Sequence, residues 1–215
     1  MRRPVQPSAS EGPLGGVSAT ASSLDAPYRV LTRIAGVLLA ILFVGAAAQM
    51  AVPIPGTPVP VTLQDLAVLV VGVVLGPRVG VAAMIAYLGA GALGAPVFSN
   101  GHAGLAWLIG PTGGYLLAYP AAAWVMGTAS GRPRRTLTVL TGAVLAQGVI
   151  FGSGLGQLIL LTGQNVEAAV ALGVVPFLPG AVIKTALAVA FVWALDRFGP
   201  ESFSGRSGQG RPEQG

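Results

Sequence analysis

Long apolar runs separated by short polar links dominate the chain. Hydrophobic segments occupy roughly residues 30–52, 62–76, 79–94, 112–129, 137–162 and 180–197, a pattern that predicts six helical spans. A helix needs about 20 apolar residues to cross the hydrocarbon core of a bilayer, and the second and third segments are shorter than that. Residues 1–28 and 198–215, rich in Pro, Ser and Gly, are expected as disordered tails around a single transmembrane domain at 29–197. The first segment has a second reading. Arg29 and Arg33, an apolar run and "GAAAQMA" (45–51) also resemble a secretory leader. Five further spans follow, so an uncleaved first helix is the reading adopted.

The polar links differ between the two ends of the spans. One set is tight and basic, with "GPR" at 76–78 and "SGRPRR" at 130–135. The other set is proline-rich: "PIPGTPVP" (53–60), the stretch from Pro96 to Pro111, and "GVVPFLPG" (173–180). Arg2, Arg3, Arg29, Arg33, Arg78, Arg132, Arg134, Arg135, Arg197, Arg206 and Arg211 all fall on the first side of a six-span arrangement. Basic loops stay cytoplasmic, so both termini are expected in the cytoplasm. Proline withholds an N–H and disfavours helix just before it, so the outer links cannot simply extend their helices. They are either ordinary exposed loops or the rim of an outward-facing pocket, and their clustering on one face favours the pocket.

Composition agrees with a multi-pass membrane protein. Of 215 residues, 53% are hydrophobic and 9% charged, against about 25% charged in soluble domains. The net charge of +5 comes from scattered arginines without a basic face or aromatic ladder, so nucleic acid is not an expected partner. There is no cysteine and a single histidine, His102, which excludes thiolate chemistry and leaves little for a metal centre. The lysine in "GAVIKT" lacks the glycine of a P-loop. Neither an enzymatic role nor a cofactor is expected.

Lys184, the one lysine of the chain, lies inside the last apolar run. With Pro179 in the first turn of that helix, Lys184 sits just over one turn in, about 7 Å from the start at 1.5 Å per residue. Helix N-terminus and ammonium together suit a carboxylate. The alternative is a lysine that snorkels to the outer interface. Other polar groups sit at the same ends: Gln64, Asp65, Tyr87, Asn100, His102, Thr112 and Tyr115. Asn and Gln suit a neutral amide or urea. Tyr87 and Tyr115 read equally as interfacial aromatics, and His102 as a plain loop residue. Gly152 and Gly156 are expected to serve close helix packing.

The motifs "TPVPVTLQ" (57–64), "LGPRVG" (75–80), "LGAPVF" (93–98), "GPTGGYL" (110–116) and "PFLPGAVIK" (176–184) resemble the BioY family, the biotin-binding S components of energy-coupling factor (ECF) transporters. The likeness runs from about residue 30 to 197. It implies an all-α bundle of six transmembrane helices, multi-pass in the cytoplasmic membrane of a prokaryote. Such a protein captures biotin on the outer side and works with a transmembrane coupling subunit and two ATPase subunits. In the family the last helix begins Gly-Asp-x-x-Lys. Gly180 and Lys184 match, whereas Ala181 stands where the aspartate is expected. By this resemblance Lys184 and Asn100 bind biotin, followed by Gln64, Tyr87 and Tyr115. Without the family aspartate, Lys184 is uncompensated and selects an anion, unless Asp65 takes over as its charge partner. Small residues four apart on the first helix, Gly36 with Ala40 and Ala47 with Ala51, resemble the family's docking face for the coupling subunit; ordinary helix packing explains them as well. Three rival readings are the same scaffold with another small carboxylate as ligand, a stand-alone biotin permease, and a membrane-embedded enzyme, for which the chain offers no catalytic constellation.

Overall fold

The structure, a computed structural model, describes residues 17–131 and 135–198. It is all-α: α1 (Val17–Gln49), α2 (Gln64–Ala92), α3 (Leu105–Ile109), α4 (Gly113–Leu117), α5 (Tyr119–Ala129), α6 (Thr136–Thr162), α7 (Val166–Gly173) and α8 (Leu178–Phe198). Among the described residues there is no strand beyond an isolated bridge between Val52 and Val61. The chain divides into two compact units, Met1–Ala35 and Gly36–Gly215. In the first unit helix begins at Val17, so residues 17–28, expected within the tail, are helical. Their sequence contains no Gly, and no Pro before Pro27, to oppose it. The rest of both expected tails, with Arg2, Arg3, Arg206 and Arg211, lies outside the described residues, as do Arg132 and Arg134 of the link at 130–135.

Within the second unit, α2 is a hairpin of two helical arms. Gly76 takes φ 74°, ψ 177°, and Pro77 follows it. A positive φ costs glycine little, and Pro77 cannot supply the N–H that would continue the first arm. A Cβ built on Gly80 would lie 3.5 Å from the Cα of Gly72, although eight residues of continuous helix span about 12 Å. The side chains of Gln64 and Tyr87 also meet, 23 residues apart. The arms are therefore antiparallel, and the expected link at 76–78 is a chain reversal.

Among the described residues, four stretches are long and apolar enough to cross a membrane: Val30–Gln49, Gln64–Ala92, Thr136–Thr162 and Val166–Phe198, with mean hydropathy 2.3, 2.2, 1.8 and 2.0. The six expected spans thus do not appear as six long helices. Two of them are the arms of α2. The expected span at 112–129 is divided between α4 and α5 around Ala118, with Pro120 in the first turn of α5. Large apolar side chains such as Leu42, Phe43, Leu145, Leu160, Ile183 and Trp193 face outward, which suits lipid.

The core lies where α2, α5, α6 and α8 meet, around Leu69, Met84, Tyr87, Met126, Val139 and Ala188. Glycines bring the backbones close. A Cβ on Gly72 would come 2.6 Å from the carbonyl of Ala123, and one on Gly127 would come 2.6 Å from the nitrogen of Pro77. The expectation for α6 is corrected: a Cβ at Gly152 or Gly156 would meet nothing within 4 Å, whereas Gly154 receives the ring of Tyr115 and Gly142 the methyl of Ala129. Gly142 and Gly154 are buried, whereas Gly152 and Gly156 are exposed. Ala40 is buried and Ala47 half-buried in this core, so part of the small-residue pattern on α1 packs inward.

Candidate functional site

The links between helices build one end of the bundle. Thr62 Oγ1 accepts from the backbone N–H of Gln64 at 3.3 Å and opens α2. Phe98 is fully buried, its ring filling the space a side chain at Gly91 would need and meeting Tyr87 edge-on at 5.8 Å. Burying such a ring stabilises by roughly 1.5–3 kcal/mol, and it anchors the loop that carries Ser99. Gln49 Nε2 donates to the carbonyl of Phe98 at 3.2 Å from α1. Gln157 Nε2 on α6 donates to Leu108 O (3.0 Å) and Gly110 O (2.7 Å), holding the end of α3 and with it Trp107.

These constraints frame a cavity that is partly open to solvent. Val59, Pro60, Leu116, Ile150, Phe151 and Phe177 form its apolar wall, and Trp107, Tyr115 and Tyr119 its aromatic wall. Thr62, Gln64, Asp65, Ser99, Thr112 and Lys184 supply polar groups.

An ion pair is the central feature. Lys184 Nζ lies 2.7 Å from Asp65 Oδ1 and 3.0 Å from Oδ2, with the two side chains 9% and 13% exposed. Gln147 Nε2 donates to the same Oδ2 at 3.1 Å. Asp65 thus takes the place left by Ala181, which is buried on α8. The expectation of an uncompensated ammonium is corrected: α2 supplies the carboxylate that the last helix lacks. The snorkelling alternative also fails, because Lys184 is buried and turned to Asp65. Behind the pair, Gln64 Nε2 donates to Tyr87 Oη at 2.6 Å, and Tyr87 Oη donates to Val97 O at 2.8 Å.

Lys184, Gln64, Asp65, Thr112 and Tyr115 all line the cavity. Tyr115 presents its ring, since its hydroxyl donates to Gly173 O at 2.7 Å. Tyr87 stands behind Gln64 and is not part of the lining. Asn100 is exposed, at φ 57° in the left-handed region, and its neighbour Ser99 takes the place on the wall. His102 is also exposed, yet it stacks on Trp107 with centroids 4.0 Å apart, and its Nδ1–H donates to Ser99 O at 2.6 Å. Trp107, Tyr119 and Gln147 went unrecognised in the sequence. Gln147 had a usable signature, an amide in the middle of the apolar run of α6, whereas Trp107 and Tyr119 look like interfacial aromatics.

Comparisons with known proteins bear on identity. A protein of Pyrococcus horikoshii named "Probable biotin transporter BioY" is 40% identical over 153 residues, covering 71% of this chain and 89% of that one. "Biotin transporter BioY" of Thermotoga maritima is 34% identical over 163 residues, covering 76% and 94%. A crystal structure described as the S-component for biotin from an ECF-type ABC transporter superposes with a TM-score of 0.71 at 23% identity, covering 79% of this chain and 93% of that one; this establishes the shared fold. The BioY family model matches residues 18–201, which takes in every helix that builds the cavity, and the chain therefore belongs to the BioY family.

Proposed function

We propose that this protein captures biotin at the outer face of the cytoplasmic membrane and passes it inward as the substrate-specific subunit of an ECF-type ABC transporter. The largely apolar and aromatic cavity with the buried Lys184–Asp65 pair on its wall carries this reading. Biotin is a bicyclic ligand with a urea and a carboxylate at its two ends, and such a site fits it. The relatives named as biotin transporters support the same substrate. Transport, with no chemical change in the ligand, is the role.

The arms of α2, the α4–α5 pair, and α1, α6 and α8 make six membrane-crossing passages in this reading, with both termini cytoplasmic. The reversal at Gly76 beside Arg78 supports the cytoplasmic side of the first tight link. A coupling subunit and two ATPase subunits complete the transporter. Gly36 and Ala40 sit in an apolar groove with Leu39, Phe43, Val70, Val71, Val74 and Leu75, the surface we assign to docking.

Equilibrium binding of labelled biotin to the purified full chain in detergent tests the proposal. Tight binding to the wild type, weakened at least about a hundredfold in Lys184→Ala, is expected, since removing one partner of a buried pair strands the other. No binding by the wild type would sink it. Ala181 supports one second reading, the same scaffold tuned to another small carboxylate; desthiobiotin and lipoate as competitors separate the two.

A further inference from the structure

We propose that His102, which stands outside the cavity, is a positioning residue for the ligand site: its imidazole braces Ser99 and Trp107 against each other on the wall. This rests on the biotin reading above and adds to it a residue that sets affinity without lining the cavity.

Local backbone preference does not hold this segment. Asn100, Gly101 and Gly104 have φ of 57°, 74° and 96°, left-handed values that glycine, and to a lesser degree asparagine, adopts readily. Backbone and buried groups secure the two ends. On one side Phe98 is buried, and its N–H donates to His102 O at 3.0 Å. On the other the N–H of Gly104 donates to Gly91 O at 2.7 Å, and Gln157 holds Leu108 O and Gly110 O. The path of the chain is thus set without the imidazole.

The imidazole adds a tie between side chains. Its ring centroid lies 4.0 Å from that of Trp107, with the planes within 6° of parallel, and Nδ1 is 2.6 Å from Ser99 O. A carbonyl only accepts, so Nδ1 carries the hydrogen and the neutral ring is the Nδ1–H tautomer. That bond fixes the imidazole plane, and the stack passes the orientation on to the indole.

The arrangement reaches the cavity through its two partners. Ser99 and Trp107 line the wall, whereas His102 does not. His102 is exposed and Trp107 half-buried, so the imidazole covers the indole from the solvent side. Trp107 Nε1–H has no hydrogen-bond partner. No hydrogen bond of its own therefore orients the indole, and the stack supplies that restraint. An indole already held in place needs no ordering when ligand arrives, which raises affinity.

The test is equilibrium binding of labelled biotin to the purified full chain in detergent, with wild type beside His102→Ala and His102→Phe. His102→Phe keeps a ring for the stack and loses the donor. Kd is expected to rise about tenfold in His102→Ala and about threefold in His102→Phe. Tm should not change, because the side chain is exposed. A second measurement needs no ligand. With Trp124→Phe and Trp193→Phe, both outward-facing, Trp107 is the one tryptophan left of three. Acrylamide quenching of its fluorescence should then increase in His102→Ala. A Kd within about twofold of the wild type's in His102→Ala overturns the proposal, as does quenching that does not change. A loss of affinity that comes with a lower Tm, and that His102→Phe does not partly restore, makes His102 a residue of the fold and overturns it too. Each of these results leaves the proposed function standing, whereas a wild type that binds no biotin takes both down together.

Discussion

Gln64 and Tyr87, at the two open ends of the α2 hairpin, are joined by a 2.6 Å hydrogen bond. Tyr87 continues the chain of donors to Val97 O, so one phenol ties both arms to the loop that carries Ser99. Tyr87→Phe keeps the ring and its edge contact with Phe98 but strands Gln64 Nε2 and Val97 O. Leaving such groups unpaired costs about 1–3 kcal/mol. Thermal unfolding in detergent is expected to show a lower Tm, and an unchanged Tm would mean that the hydroxyl does not clamp the hairpin.

The ion pair makes a different prediction. Asp65→Ala or Lys184→Met alone leaves a buried charge without its partner, at about 3–5 kcal/mol. The double variant removes both charges and is expected to be more stable than either single one. Unfolding of all four proteins in a double-mutant cycle measures the coupling; additive losses would show the pair to be energetically idle.

Close packing of α2 on α5 sets a third expectation. Gly72→Val directs its side chain at the carbonyl of Ala123, and Gly127→Val at Pro77, where backbone must move. Overpacking of this kind costs typically about 1–3 kcal/mol or more. Both variants should lose monodisperse protein on size exclusion. Gly152→Ala and Gly156→Ala, open on the outer face of α6, should purify as the wild type does. Equal behaviour of the two sets would contradict the packing described.

Trp107→Phe retains an aromatic face toward His102 and removes the unpartnered Nε1–H. A single neutral hydrogen bond to ligand is worth about 1 kcal/mol, so biotin affinity should fall roughly fivefold by calorimetry. Unaltered affinity would remove Trp107 from ligand recognition.

The absence of cysteine makes the topology directly measurable. Arg78→Cys should react with a membrane-impermeant maleimide only in inverted vesicles, and Asn100→Cys only in intact cells. Labelling of both from one side would break the six-span arrangement.

Much of this was legible in the chain because hydrophobic runs and prolines act locally. The Gly76–Pro77–Arg78 reversal could be placed from three residues, and Lys184 stood out as a lone ammonium in an apolar run. The polar cluster was harder, because its members lie far apart in sequence: Asp65 and Lys184 are separated by 119 residues. Asp65 could be named as a partner, since few carboxylates were available. Gln147 could not be connected to it, because periodicity does not say which face of α6 turns inward; the same ambiguity placed Gly152 and Gly156 in the packing interface. Asn100 looked like a site residue from its motif, yet the left-handed turn sends Ser99 to the wall.

The 119 residues between Asp65 and Lys184 also set an order of events during synthesis. At about 5–20 residues per second, the carboxylate on α2 is made roughly 6–24 s before its ammonium. During that interval the nascent chain holds the carboxylate without the ammonium it pairs with in the folded protein. The arrival of α8 neutralises the polar cluster and completes the cavity wall in one step. A chain that ends before Lys184 has neither.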